Sequence, residues 1–132
     1  MKKIIVLLLL ISLASCTLYQ NRKENLLDKE LTLITDTAPL ENQNIPYIVI
    51  KADGRIFGSS GCNKVLGQAH FGEAGDIIFK QLATSKMLCN QDDNIEIKFL
   101  EALNKTLHYN IEENIVYLLD SNKKVLISLS IK

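Results

Sequence analysis

The chain has 132 residues, enough for one domain, with 47% apolar and 23% charged residues, a globular balance without a disordered signature. Lys plus Arg and Asp plus Glu are 15 each, so no basic excess exists to neutralise phosphates, and nucleic-acid binding is excluded as a leading function. Trp is absent and aromatics are 6%, which also removes a base-stacking platform.

Met1-Lys2-Lys3 opens the chain with positive charge, and Ile4 to Ile11 is an unbroken run of large apolar residues. Ser12-Leu13-Ala14-Ser15-Cys16 follows, which completes the charged, apolar and small-residue order of a secretory signal. The apolar run is too short for a bilayer core, which needs about 20 helical residues, so a transmembrane anchor is the weaker reading. Leu13-Ala14-Ser15-Cys16 resembles a lipobox: small residues at 14 and 15 admit the peptidase, and the thiol of Cys16 takes the lipid. The alternative is an ordinary signal with a cysteine near its end. Thr17, rather than Asp, follows the lipidated position, which points to the outer membrane, periplasmic face, over the inner membrane. Losing Lys2 and Lys3 with the signal leaves 13 basic against 15 acidic residues. The expected organisation is a signal peptide over 1–15, a lipidated cysteine and polar tether over 16–29, and a folded domain over 30–132.

Within the domain, Leu31 and Leu33 alternate with polar residues and predict a first strand. Residues 38–44 are loop. Residues 47–51 form a second strand, Asp53-Gly54 a hairpin turn, and 55–58 the return strand. Residues 58–61 read as loop, 66–71 as a weaker strand, and 77–79 as another. The period then changes. Asn90, Asp92 and Asp93 are cap and first-turn residues, and Ile95, Phe99, Leu100 and Leu103 fall at helical spacing. A helix is expected over 92–105, with Glu96, Lys98, Glu101 and Lys105 on its polar face. Three strands follow near 107–112, 115–120 and 125–131, joined by turns at Glu113-Asn114 and Ser121 to Lys124. The fold class is α+β, mainly antiparallel β.

Three blocks carry a resemblance. They are Asp53-Gly54-Arg55-Ile56-Phe57-Gly58-Ser59-Ser60-Gly61-Cys62-Asn63 with Gly67 beyond it, Ala83-Thr84-Ser85-Lys86-Met87-Leu88-Cys89, and Glu96-Ile97-Lys98-Phe99-Leu100-Glu101-Ala102-Leu103. In this order they resemble the META domain, the family of HslJ-like heat-shock lipoproteins. The resemblance covers nearly all of 30–132 and departs at Leu31, where the family usually has Trp, and at Ser85, where it has Thr. It implies a small cracked β-barrel-like sheet packed on one α-helix, in exported proteins linked to envelope stress. It implies no enzyme activity, no active site and no cofactor.

Cys62 and Cys89 are the cysteines left once Cys16 is lipidated, and exported proteins sit where disulfides persist. A Cys62–Cys89 disulfide is expected. As they are 27 positions apart, loop closure contributes about 3–4 kcal/mol. The alternative is two buried thiols. Cys62, Cys89, His70 and His108 lack the close pairs of a structural zinc site, so no metal is expected. Gly58-Ser59-Ser60-Gly61-Cys62 departs from a nucleophile elbow, which needs Gly at the last place. Asp92-Asp93 lacks calcium-loop spacing, and the glycines lack the spacing of a phosphate cradle.

The functional expectation is a non-enzymatic envelope lipoprotein, held to the membrane by the lipid (palmitate class) on Cys16, with an accessory or interaction role toward an envelope protein. The alternative is a carrier of a small apolar ligand or lipid in the barrel mouth. The sequence leaves the oligomeric state open.

Overall fold

A computed structural model describes residues 1–7, 23–36, 44–88 and 93–132. Cys16, residues 16–22 of the expected tether, residues 38–43 of the expected loop, Cys89 and the expected helix start at 92 lie outside the described residues. Residues 2–7 are helical. Among the described residues, no helix is long and apolar enough to cross a membrane.

Eight strands form one antiparallel sheet: β1 (Glu30–Leu33), β2 (Tyr47–Ile50), β3 (Arg55–Ser59), β4 (Lys64–Phe71), β5 (Ile77–Thr84), β6 (His108–Glu112), β7 (Ile115–Leu119) and β8 (Val125–Ile131). The spatial order is β5-β4-β3-β2-β1-β8-β7-β6, so β1 joins two meanders and pairs with both β2 and β8. The helix α1 (Asp93–Lys105) lies between β5 and β6 in sequence.

The sheet curls until its two edges meet at one end. Ile77 donates its N–H to the Leu107 carbonyl at 3.1 Å, and Tyr109 donates to the Gly75 carbonyl at 2.8 Å. A single bridge, Asp76 with His108, marks the contact. Were that pairing continued, the rest of β5 would face residues that are already helical. The seam therefore opens, and α1 packs against β5, β7 and β8 instead. This is a half-barrel with a helix in its crack. Such a helix covers an edge that would otherwise invite pairing with another chain.

Alternation fixes which side chains enter. In β2 Ile48 and Ile50 are buried, and in β7 Val116 and Leu118 are buried. They meet Leu31, Ile56, Ala69, Ile77, Phe79, Tyr109 and Leu129 from other strands, with Phe99 and Leu103 from α1. Phe71 stacks edge-on against Tyr109, centroids 5.9 Å apart.

The Asp53-Gly54 turn forms where expected. Gly54 takes a φ of +87°, and a Cβ there would lie 2.7 Å from the Ala69 carbonyl oxygen, so glycine serves both the turn and the close approach. Asp53 accepts bonds from the Arg55 N–H at 3.0 Å and from Arg55 Nε at 2.7 Å. The backbone bond first, then the side-chain bond, hold its carboxyl below the usual value of 3.8.

The structure departs from expectation in four places. β3 continues through Ser59, and β4 begins at Lys64, so the predicted loop is shorter. β5 reaches Thr84 instead of ending near 79. A bulge hides its second half from a reading by period: Gln81 has a φ of +54°, and the β4–β5 register shifts between Leu66 and Gln68. Inward residues are thus Phe79 and Leu82, three apart, which breaks the period of two. The third departure concerns the tether. Leu26 is 1% exposed and belongs to the core, and Leu27 bridges to Ile50, so the packed body includes residues assigned to the tether. An isolated Leu-Leu pair in a polar stretch carries no period, so only the tertiary structure reveals its burial. The fourth, Glu96, belongs to the site.

Candidate functional site: a saturated polar junction and an outer apolar groove

The turn between β3 and β4 buries two polar residues, Ser60 and Asn63. Asn63 is the hub. Its Nδ2 donates to Glu96 Oε1 at 3.0 Å and Oε2 at 3.1 Å. Its Oδ1 accepts from the Ser85 hydroxyl at 3.0 Å and from the Met87 backbone N–H at 2.7 Å. Ser85 Oγ in turn accepts from the Lys64 N–H at 3.0 Å. The Ser60 hydroxyl lies 2.5 Å from Glu96 Oε1 and 3.1 Å from the Asn63 carbonyl, and its one proton belongs on the shorter, charge-assisted contact.

These bonds join three separate parts of the chain: the β3–β4 turn, the strap after β5, and the first turn of α1. Glu96 also places negative charge near a helix N-terminus, a favourable position. Helical spacing predicts Glu96 on the solvent face. It is instead half-buried and points to the turn. Its spacing of three and seven from Phe99 and Leu103, both buried, is the signal in the sequence that could have placed it there.

The chemistry of the junction is mechanical. Both lone pairs of Asn63 Oδ1 are used, and the Glu96 carboxylate takes three contacts. Ser60 is fully buried and bonded to a carboxylate, so it is not presented to a substrate. The two histidines are elsewhere. His70 is exposed on β4, and His108 Nδ1 sits 2.7 Å from Asp76 Oδ1 beside the barrel seam. His70 and His108 line one groove by the seam while Cys62 lies at the β3–β4 turn, so the described part of the zinc set does not meet at one place, and no group of three or more candidate ligands occurs among the described residues.

Cys62 precedes Asn63 and is disulfide-bonded. Cys16 and Cys89 lie outside the described residues, and we propose Cys89 as the partner. Intact mass after alkylation tests the pairing. The mature chain should take no label at either position until reductant is added, then one at each. Equal labelling with and without reductant would end the pairing.

Among the described residues, two of the open grooves flank the body. One, of about 590 Å³, lies on the outer side of the sheet and is lined by Tyr47, Phe57, Leu66 and Met87, with Cys62 and Lys64 at its rim. The other, of about 470 Å³, lies by the seam, between Phe71, Ile78, Leu107 and His108.

An antiparallel half-barrel whose crack holds one helix, with that helix latched to the Gly61-Cys62-Asn63 turn, makes this an α+β, mainly β domain. The META domain family model matches residues 26–131, and the chain belongs to the META domain family. That match begins at the buried Leu26. Solved structures share the fold. A protein from Burkholderia xenovorans, solved by NMR, is 18% identical with a TM-score of 0.65, covering 83% of this chain and 85% of its own. A second NMR structure is 21% identical with a TM-score of 0.63, covering 81% of this chain and 92% of its own. A DUF4847 family protein from Bacteroides vulgatus is 18% identical with a TM-score of 0.58, covering 82% and 95%. No curated protein matches the sequence.

Proposed function

We propose that this protein is a membrane-anchored envelope lipoprotein with a lipid on Cys16, and that its META domain serves a non-enzymatic, accessory interaction role at the outer membrane. The observation that carries the reading is the lipobox Leu13-Ala14-Ser15-Cys16, which ends ten residues before Leu26, the first buried side chain among the described residues. Two or three acyl chains, at about 0.8 kcal/mol per buried CH₂, hold a protein durably on a bilayer. Ten extended residues span at most about 35 Å, so the domain stays next to that bilayer. The META domain family is not a known enzyme family. A polar junction that spends its hydrogen-bonding capacity internally supports the same reading.

Filling of the half-barrel favours this over ligand carriage. Leu26, Leu31, Ile48, Ile50, Phe99 and Leu129 occupy the space a ligand would need, each at most 1% exposed. The grooves of several hundred Å³ are open to solvent.

The test is the mass and location of the protein in its native cells. The expected species starts at Cys16, carries acyl chains and pellets with membranes. A Cys16→Ser variant is expected to move to the soluble fraction. Recovery of a chain that keeps Met1 and has the bare polypeptide mass would overturn the anchor.

A further inference from the structure

The sheet is electrically divided along its width. Strands β2, β3, β4 and β5 contain Arg55, Lys64 and Lys80 and no Asp or Glu. Strands β1, β6, β7 and β8 contain Glu30 and Glu112 and no Lys or Arg. The chain as a whole is balanced, so this is an arrangement and not a composition effect.

The same half carries the apolar groove on its outer side. Phe57 and Leu66 are register partners on β3 and β4 and are 41% and 58% exposed. Met87, on the strap, is 59% exposed and lines the groove with them and with Tyr47. Lys51 Nζ stands 5.9 Å from the Phe57 ring centroid. Lys64 sits at the groove, Lys80 further along the outer side of β5, and Lys86 beside Met87. Among the described residues, none of Lys64, Lys80 and Lys86 forms an ion pair, whereas Lys51 and Arg55 pair with Asp28 and Asp53. The outer side of the other half carries Asn110, Tyr117, Ser128 and Ser130 together with Ile115 and the acidic Glu112, and it has no lysine or arginine on its strands.

We propose that the outer side of β2–β5 docks on a bilayer containing anionic phospholipid, with Phe57, Leu66 and Met87 entering the headgroup layer and Lys64, Lys80 and Lys86 meeting the lipid phosphates. An apolar centre with a lysine rim is the composition of a surface that lies in such an interface. A second copy is a poorer occupant, because two identical basic rims would face each other. Proximity is the further argument, and it rests on the lipid-anchored reading: the ten positions from Cys16 to Leu26 keep the domain within about 35 Å of the membrane, so a weakly attractive face meets lipid at high local concentration. The docked face would then set the orientation in which the domain presents its other half, with its acidic and neutral strands, to the aqueous space.

The test uses the chain from Thr17 onward, which lacks the signal and the lipid but keeps every core residue, since these run from Leu26 to Leu129. The protein has no Trp, so Phe57→Trp provides a single reporter, and Tyr117→Trp on the opposite half is its control. On vesicles of phosphatidylcholine plus phosphatidylglycerol, the indole emission of the Phe57→Trp variant is expected to shift to the blue and be quenched by brominated acyl chains, while the control stays as in buffer. Phosphatidylcholine alone should give neither change. Lys64→Glu with Lys80→Glu should weaken binding by more than about 25-fold, at about fivefold for each lost lysine, and added salt should act in the same direction. Lys98→Glu, exposed on α1, should not. Absence of a response on anionic vesicles, equal response of both reporters, or indifference to the paired charge reversal would each overturn the proposal. Because this chain carries no lipid, those failures leave the mass test of Cys16 untouched.

Discussion

Asn63→Ala is expected to destabilise the domain by about 3–5 kcal/mol. The substitution removes two hydrogen bonds to a carboxylate, and charge-assisted bonds contribute about 1.5–3 kcal/mol each. It also removes the acceptor for the Ser85 hydroxyl and the Met87 N–H. The Glu96 carboxylate is then left half-buried with Ser60 as its one remaining partner among the described residues. For a domain of about 100 residues, each kcal/mol moves the melting temperature by about 4–8 °C, so the midpoint should fall by tens of degrees. Glu96→Ala alone should cost less, because Asn63 would keep its bonds to Ser85 and Met87. The double variant Asn63→Ala/Glu96→Ala should then be less destabilised than the sum of the two, by about 0.5–3 kcal/mol. Strict additivity in urea denaturation would show that the latch between turn and helix contributes nothing. Because the junction holds α1 in the crack of the barrel, the same variant should raise amide exchange in α1 more than in the β7–β8 hairpin.

The second large effect concerns Gly58. In β3 it pairs with Ile48, and a Cβ at this place would overlap the Tyr47 carbonyl oxygen and lie 2.8 Å from Ile48 Cα. These are backbone atoms of the neighbouring strand, so no rotamer change relieves the overlap. Gly58→Ala is expected to cost about 3 kcal/mol or more, at the upper end of overpacking effects, because β2 and β3 must separate. The measurement is again the urea midpoint. A change below about 1 kcal/mol would mean that the two strands yield easily, against so close an approach. Gly58 also sits at the base of the outer groove, so a tolerated alanine would mean local widening there.

Local patterns carry much of the architecture. Alternation in β2, β7 and β8 needs only a sheet with one buried side, and Phe99 with Leu103 needs only a helix with one buried stripe. The Asp53-Gly54 turn is legible because its chemistry is contained within four residues. β5 is legible only in its first half, because its bulge converts a period of two into a spacing of three midway. The polar junction is legible in part. Its residues fall within the blocks that resemble the META domain, yet nothing local indicates that Asn63, Ser85 and Glu96 meet, since they are separated by 22 and 33 positions from the hub.

By itself, the sequence determined the expectation of secretion and lipidation, most of the strand and helix inventory, and the fold class, because each depends on neighbours within about one element. Only the tertiary structure decided three things. It brought Leu26 from a polar segment into the core. It turned Glu96 inward to a buried asparagine. It placed Arg55, Lys64 and Lys80 on one half of a sheet and Glu30 and Glu112 on the other. Each of these is set by which strands lie side by side after the chain curls, and spatial order in a closed or nearly closed sheet is a property of long-range pairing that no short window of sequence contains.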